Sequence, residues 1–310
     1  MRGTHTTMER FYPIGTPGQP WTDADKALWA QQQAVQRSYR DEVLDKVDAL
    51  RDRFDVTQYG ALDVDPARYP LFALAPKAPK AGLPWVLITG GVHGYETSGV
   101  QGALQFAKDH AQDYEDRVNL LIAPCVSPWG YERVQRWNAD ALDPNRSFFA
   151  DSGCGESTSL MALVQAQDAS WQVHLDLHET TDTDETEFRP AKAARDGEAN
   201  EPGTIPDGFY TVGDSENPQP AFQAAIIASV AEVTHIAPPD ENGQIIGADV
   251  EQDGVIHYPV HKLRLCTSVT DAPYNSTTEV YPDSDKVTDA DCNRAQVAAV
   301  RGALDHVLAQ

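Results

Sequence analysis

Two histidines and a glutamate carry the first chemical signal. In Gly90-Gly91-Val92-His93-Gly94-Tyr95-Glu96, His93 and Glu96 stand two residues apart, directly after the apolar run Trp85-Val86-Leu87-Ile88. If that run is a strand and Glu96 opens the next helix, both side chains converge above the strand's carboxyl end, where α/β sheets place their ligands. A second histidine, His178, ends another apolar segment, Leu175-Asp176-Leu177-His178-Glu179. Two His and one carboxylate are a common catalytic zinc set, with a fourth position left for water. Taken singly, His-x-x-Glu also reads as a helix-capping turn and a lone strand-end His as structural. Their combination is what points to metal chemistry.

Between the two metal-binding segments lie Arg136-Trp137-Asn138 and Leu142-Asp143-Pro144-Asn145-Arg146. Arginine presents a planar fork that matches a carboxylate, and a second arginine can stabilise an oxyanion. A metal flanked by fixed cations suits a substrate with a carboxylate beside the scissile carbonyl. Two other spacings draw attention. His257 and His261, four apart in a segment read as extended, face the same way, although ordinary surface histidines explain them equally. Tyr258 and Tyr274 are candidate substrate-contacting aromatics, with half-buried packing as the plainer alternative.

The order of these pieces resembles the zinc carboxypeptidases of the carboxypeptidase A type, over roughly residues 84–273. That family runs His-x-x-Glu, a Pro-x-Gly-Tyr-like stretch (Pro128-Trp129-Gly130-Tyr131 here), Arg, Asp-x-Asn-Arg and a later His. The resemblance implies one zinc ion held by His93, Glu96 and His178. It further implies Arg136 as the oxyanion-stabilising arginine, Asn145 with Arg146 as the clamp on a substrate carboxylate, and Tyr258 or Tyr274 as a tyrosine over the substrate. Asp143 then resembles the carboxylate that orients a metal-binding histidine. Residues 90–99, GGVHGYETSG, are also similar to the opening motif of the succinylglutamate desuccinylase and aspartoacylase group, which shares the metal site and the Asn-Arg clamp.

Two departures from the carboxypeptidase pattern stand out. The family's general base is a Glu in a late Thr-x-Glu context often followed by Pro, and the matching stretch is Val269-Thr270-Asp271-Ala272-Pro273. Asp271 is therefore the first candidate for the base, with Glu279 and then Glu179 as alternatives. The family's Asn-Pro-Asp-Gly also reads Ser127-Pro128-Trp129-Gly130. The activity implied is hydrolysis of an amide next to a free carboxylate, most simply by a metallocarboxypeptidase. An N-acyl amino acid deacylase is the alternative, and a catalytically weak metal- or carboxylate-binding protein is the reading outside enzymes. No Gly-x-Ser-x-Gly elbow appears. The partner expected is a peptide or small acyl-amino-acid substrate.

The surrounding elements must position these residues. Apolar runs over 84–91, 118–123 and 171–177 read as buried strands, and 96–109, 157–169, 221–233 and 285–308 as helices. This alternation implies a single three-layer α/β/α domain on a mixed, mostly parallel sheet. Extended segments are expected over 56–64, 69–75 and 257–269, and a loop over 182–219. Residues 1–55 read as an N-terminal helical extension, with a long helix from Thr22 or Asp23 on which Leu28, Val35, Tyr39, Val43, Val47 and Leu50 recur. Residues 56–310 form the catalytic domain.

Composition narrows the partners. The 310 residues carry 24 Lys+Arg against 47 Asp+Glu, a net charge of −23. That balance opposes a sequence-independent grip on nucleic acid or anionic lipid. The acid is dense over 182–201 and is read as a solubilising surface or as a feature favouring substrates with basic parts. The most apolar stretch, 221–237, is interrupted by Gln223, Ser229 and Glu232 and does not suit a membrane span. Four scattered cysteines make no thiolate zinc pattern. Residues 1–11 show charges and no apolar core of a signal peptide, so cytoplasmic residence is the default expectation.

Overall fold

A computed structural model describes residues 12–310, so the first eleven, where the reading of a missing signal peptide falls, lie outside it. Ten strands form: β1 (Phe54–Ala61), β2 (Pro70–Pro76), β3 (Trp85–Gly90), β4 (Asn119–Ala123), β5 (Trp171–Glu179), β6 (Tyr210–Asp214), β7 (Gln244–Ile245), β8 (Ala248–Asp249), β9 (Val255–Tyr258) and β10 (Tyr274–Val280). Eight make one sheet in the order β1-β2-β4-β3-β5-β10-β6-β9, and β7 and β8 pair separately. The centre, β4-β3-β5-β10, is parallel, while β1, β2 and the β10–β6 pair supply the antiparallel joints.

Side chains alternate between faces along each central strand. Val86 and Ile88 enter the core that also holds Val100, Phe106, Val300 and Leu304, whereas Leu87 joins Leu121, Leu160 and Val164 on the other face. All three β3 residues are fully buried, which is why the run is continuously apolar. The helices are α1 (Asp23–Gln32), α2 (Asp45–Asp48), α3 (Thr97–Asp109), α4 (Pro128–Arg133), α5 (Gly155–Gln165), α6 (Arg189–Asp196), α7 (Pro220–Ala231), α8 (Val260–Leu263) and α9 (Asp289–Leu308). Helix α9 packs against both α3 and α7. Among the described residues no helix is long and apolar enough to cross a membrane.

Three segments differ from the sequence expectation. The single long helix from residue 23 to 50 is instead α1, an irregular stretch, and a π-helical turn, Arg40–Leu44, running into α2. Tertiary bonds pull the chain out of helix there: the amides of Gln36 and Arg37 donate to the Glu132 carbonyl. Leu28 and Val35 consequently face solvent, while Tyr39, Val43 and Val47 are buried. The expected loop 182–219 contains a π-helical turn, Asp184–Phe188, followed by α6 and β6. The expected extended segment 257–269 ends at Tyr258, because Pro259 starts the turn of α8, which a 3-10 turn, Cys266–Val269, follows.

Strand β10 was hidden by its composition, Tyr-Asn-Ser-Thr-Thr-Glu-Val. Two of its buried polar side chains are matched inside: Ser276 donates to Gln223 Oε1 at 2.8 Å and Thr278 to Gln296 Oε1 at 2.5 Å. A buried strand whose polar groups pair with helix side chains satisfies the hydrogen-bond requirement without an apolar pattern.

Candidate metal centre and its cleft

After β3 the chain turns through Gly91 at φ +59°, a left-handed conformation that suits glycine. A Cβ on Gly94 would collide with the backbone of Gly130, so the turn is pressed directly against α4. This fixes His93 and Glu96, which are 2 % and 1 % exposed. His178 arrives on β5, and the three form a group whose ligand atoms lie within 4.8 Å of one another.

Both histidines are oriented the same way. His93 Nδ1 is 2.8 Å and His178 Nδ1 is 3.0 Å from Glu96 Oε1. Their outer nitrogens rest on carboxylates, His93 Nε2 on Asp143 Oδ1 at 3.0 Å and His178 Nε2 on Asp176 Oδ2 at 2.5 Å. Thr89 Oγ1 in turn donates to Asp176 Oδ1 at 2.6 Å. Carboxylates behind metal-binding histidines fix the tautomer and aim the inner nitrogen. Glu96 Oε2 is buried 3.0 Å from His178 Nδ1, yet makes no hydrogen bond among the described residues. Two imidazole nitrogens and a carboxylate with an unsatisfied oxygen form a donor set that fits a divalent metal such as zinc.

The charges are mutually arranged. Burial opposes ionisation of Glu96, but His178 and His93 outweigh it and hold its pKa down at about 2. Burial likewise disfavours charged His178, yet Asp176 and Glu96 raise its pKa well above the usual range. Asp143 is lowered against its own burial by Arg136 and His93. Arg136 Nε lies 3.1 Å from Asp143 Oδ2 and its Nη1 3.5 Å from Asp184 Oδ1.

A cleft of about 800 Å³ opens at this centre, lined by His93, Arg136, Arg146, Tyr258 and Glu279 among others. Arg146 is exposed to it, donates from Nη1 to the Asn145 carbonyl at 2.7 Å, and has no carboxylate within ion-pair distance among the described residues. Asn145 is buried, and its Oδ1 accepts from the Cys266 amide at 2.7 Å, which fixes the loop beside the cleft. The acid-dense segment turns basic residues toward the cleft: Arg189, Lys192 and Arg195, spaced along one side of α6, all line it.

The base expectation is corrected. Asp271 is exposed and does not line the cleft, because it precedes β10 by three residues and lies eight residues before Glu279, about 25 Å of extended chain. Glu279 is the carboxylate that β10 delivers, in register with His178 on β5. Thr180 Oγ1 donates to Glu279 Oε2 at 3.0 Å and is itself 2.7 Å from the Tyr210 hydroxyl. Burial pushes the Glu279 pKa up to about 8, aided by Glu96 and Asp184 and opposed by His178. The sequence signal for it was Thr277-Thr278-Glu279, with Pro282 shortly after; Pro273, two residues after Asp271, drew the pattern to the earlier, exposed stretch.

Glu179, the third base candidate, caps α3 instead, accepting from the amides of Thr97 at 3.0 Å and Ser98 at 2.6 Å. Tyr274 does not line the cleft; its ring packs at a tilt of 50° to Phe222, and its hydroxyl donates to Gln310. His257 and His261 join no metal-binding group among the described residues; His257 Nδ1 is 3.4 Å from Glu251. Asp176, Thr180, Asp184 and Tyr210 had no signature of their own in the sequence, since each acts through a neighbour brought by another strand or turn.

Residues 83–199 match the family model described as the succinylglutamate desuccinylase/aspartoacylase catalytic domain. Solved structures share the fold across nearly the whole chain. A candidate metallopeptidase from Shewanella amazonensis superposes with a TM-score of 0.63 at 21% identity, covering 89% of this chain and 98% of its own. Carboxypeptidase A from Helicoverpa armigera gives 0.59 at 13% identity, covering 89% and 74%. Residues 83–199 are thus similar to that catalytic domain, and the chain as a whole has the carboxypeptidase fold. A metallo-carboxypeptidase from Burkholderia cenocepacia has the same fold, with a TM-score of 0.57 at 15% identity over 93% of this chain and 69% of that one. No curated protein matches the sequence. In this carboxypeptidase-like chain, both the candidate metal group and the arginines of the 136–146 loop fall inside the matched segment 83–199.

Proposed function

We propose that the protein is a zinc-dependent hydrolase that cleaves an amide adjacent to a free carboxylate. The observation that carries this reading is the convergence of His93, Glu96 and His178 in one buried group, of which His93 lines the cleft that also holds Arg146. Zinc held by these three would supply a Lewis acid that activates water and polarises a carbonyl. Glu279, steadied at Oε2 by Thr180, is placed to accept a proton and return it to the leaving amine. Arg136 keeps Nη2 free of hydrogen bonds to described residues and offers it to an oxyanion, while Arg146 takes the substrate's carboxylate.

Within that class we favour a metallocarboxypeptidase, supported by the fold and by the order of the motifs. The match of residues 83–199 favours a second reading, an N-acyl amino acid deacylase. The reading of a weak metal- or carboxylate-binding protein rested on a missing Glu base, and Glu279 removes that reason. Metal analysis combined with a hydrolysis panel of C-terminal peptides, γ-glutamyl amides and N-acyl amino acids tests the assignment. Bound zinc with release of an amine from at least one class is expected. Bound metal with no hydrolysis across the panel would overturn it.

A further inference from the structure

The N-terminal segment lies outside the matched residues 83–199, yet it is built into the cleft. Pro20, Trp21 and Lys26 line it beside the α6 residue Arg195 and the loop residue Trp137. Three chain segments meet there. The Trp21 amide donates to the Arg195 carbonyl at 2.8 Å, and its indole packs edge-on to Trp137 at 6.1 Å. The Arg195 guanidinium lies 4.3 Å over the Trp137 ring and donates to the Ala141 carbonyl at 2.9 Å. At Gly197, φ +72°, a Cβ would come 2.6 Å from Pro20 N, so the two backbones cross in contact.

A second attachment ties the same segment to the metal-binding turn. Arg37 donates from Nη2 to the Gly94 carbonyl at 2.8 Å, from Nη1 to Thr97 Oγ1 at 2.6 Å and from Nε to the Tyr131 carbonyl at 2.6 Å. A multiply bonded guanidinium of this kind holds a fixed geometry. The segment is thus anchored under the metal turn and again at the rim, and between the anchors it walls one side of the cleft.

We propose that residues 12–37 are a specificity element, in which Trp21, held by Arg195 and Trp137, sets the size of the substrate group that fits at that wall. The proposal rests on the hydrolase reading above for its substrate, but its geometry does not depend on turnover. Trp21 is 5 % exposed, so it acts by filling the rim rather than by offering a broad contact surface.

The test uses the full chain and four variants: Trp21→Ala, Trp21→Phe, Lys26→Trp and, as control, Leu28→Ala on the solvent side of α1. N-acetyl-L-alanine is compared with N-(2-naphthoyl)-L-alanine, and separately with N-acetyl-L-tryptophan, so that bulk is added on either side of the amide. In one of the two pairs the large-to-small ratio of kcat/KM should rise about 10-fold in Trp21→Ala, return toward the wild-type ratio in Trp21→Phe, and fall in Lys26→Trp. Leu28→Ala should match wild type. Unchanged ratios in both pairs, or equal losses on large and small substrates, would overturn the proposal. If the wild type hydrolyses none of these amides, the same ratios are read from calorimetric binding of the intact compounds, and the hydrolase reading is decided separately by the full panel above. Lys26→Trp, at a partly exposed position, keeps the test decisive should Trp21→Ala not fold.

Discussion

Glu279 stands opposite His178 in the parallel pairing of β10 with β5, so the sheet register itself brings this late carboxylate beside a candidate metal-binding histidine. Asp271, which the motif pattern favoured, lies exposed on the approach to the same strand. The register separates the two candidates because a strand advances about 3.3 Å per residue and cannot fold back on itself.

Glu279→Gln should therefore lower kcat by about 100-fold or more, within the usual range for loss of a general base, while zinc content stays at the wild-type level. Asp271→Ala should leave kcat and KM unchanged. Steady-state kinetics with metal analysis on the two variants decide the point, and a larger loss in Asp271→Ala would reverse the assignment.

The carboxylate behind His178 should matter for metal retention. Asp176→Asn keeps the shape but removes the charge that fixes the imidazole, and such changes typically weaken metal binding about 10- to 100-fold. Competition with a chromogenic chelator measures it, and an affinity equal to wild type would show that His178 needs no such support.

Arg146 has no ion-pair partner among the described residues and is exposed to the cleft, so its removal should act on substrate binding. Arg146→Ala should raise KM for carboxylate-terminated amides about 10-fold or more, and Arg146→Lys should recover only part, since a fork becomes a point charge. An effect confined to kcat would instead move Arg146 from clamp to transition-state role.

His174 gives a pH prediction. It is fully buried between Thr89 and Thr270, and burial lowers its pKa from the ordinary 6.5 to about 4. Because the folded value is the lower one, the unfolded chain binds the proton first on acidification. The stability that neutral His174 maintains is complete above pH 6.5 and is lost as pH falls from 6.5 toward 4. Relative to His174→Gln, wild type should lose up to about 3 kcal/mol across that window, which urea unfolding at several pH values would detect. Subtracting the variant cancels the contribution of carboxyls common to both proteins. A gap that stays flat with pH would contradict the burial-driven shift.

The chain's formal charge of −23 describes its surface better than its cleft. Lys26, Arg136, Arg146, Arg189, Lys192 and Arg195 all line the cleft, three of them contributed by the segment with the densest acid. Asp143, Glu179, Asp184, Asp196 and Glu279 line it too, so basic and acidic groups nearly balance there while the sequence as a whole is strongly acidic.

His93, Glu96 and His178 could be singled out in the sequence because each sits at the end of a strand or in the turn after it, whereas Arg136, Asp143, Asn145 and Arg146, in the loop after α4, were singled out by the order of motifs. The central strands β3, β4 and β5 were legible for a related reason, as burial on both faces demands a continuous apolar run. Glu279 was legible only as the second candidate for a base, because β10 is polar and its burial depends on partners from α7 and α9 far away in the chain. The cleft's wall was not legible, since the N-terminal helix breaks where Arg37 reaches Gly94 and Tyr131, bonds that exist only once the sheet has formed. Sequence thus determined which residue types could meet a metal and a carboxylate. Tertiary structure decided which carboxylate faces them and what closes the cleft, because sheet register and long-range hydrogen bonds, unlike local periodicity, couple residues that are far apart in the chain.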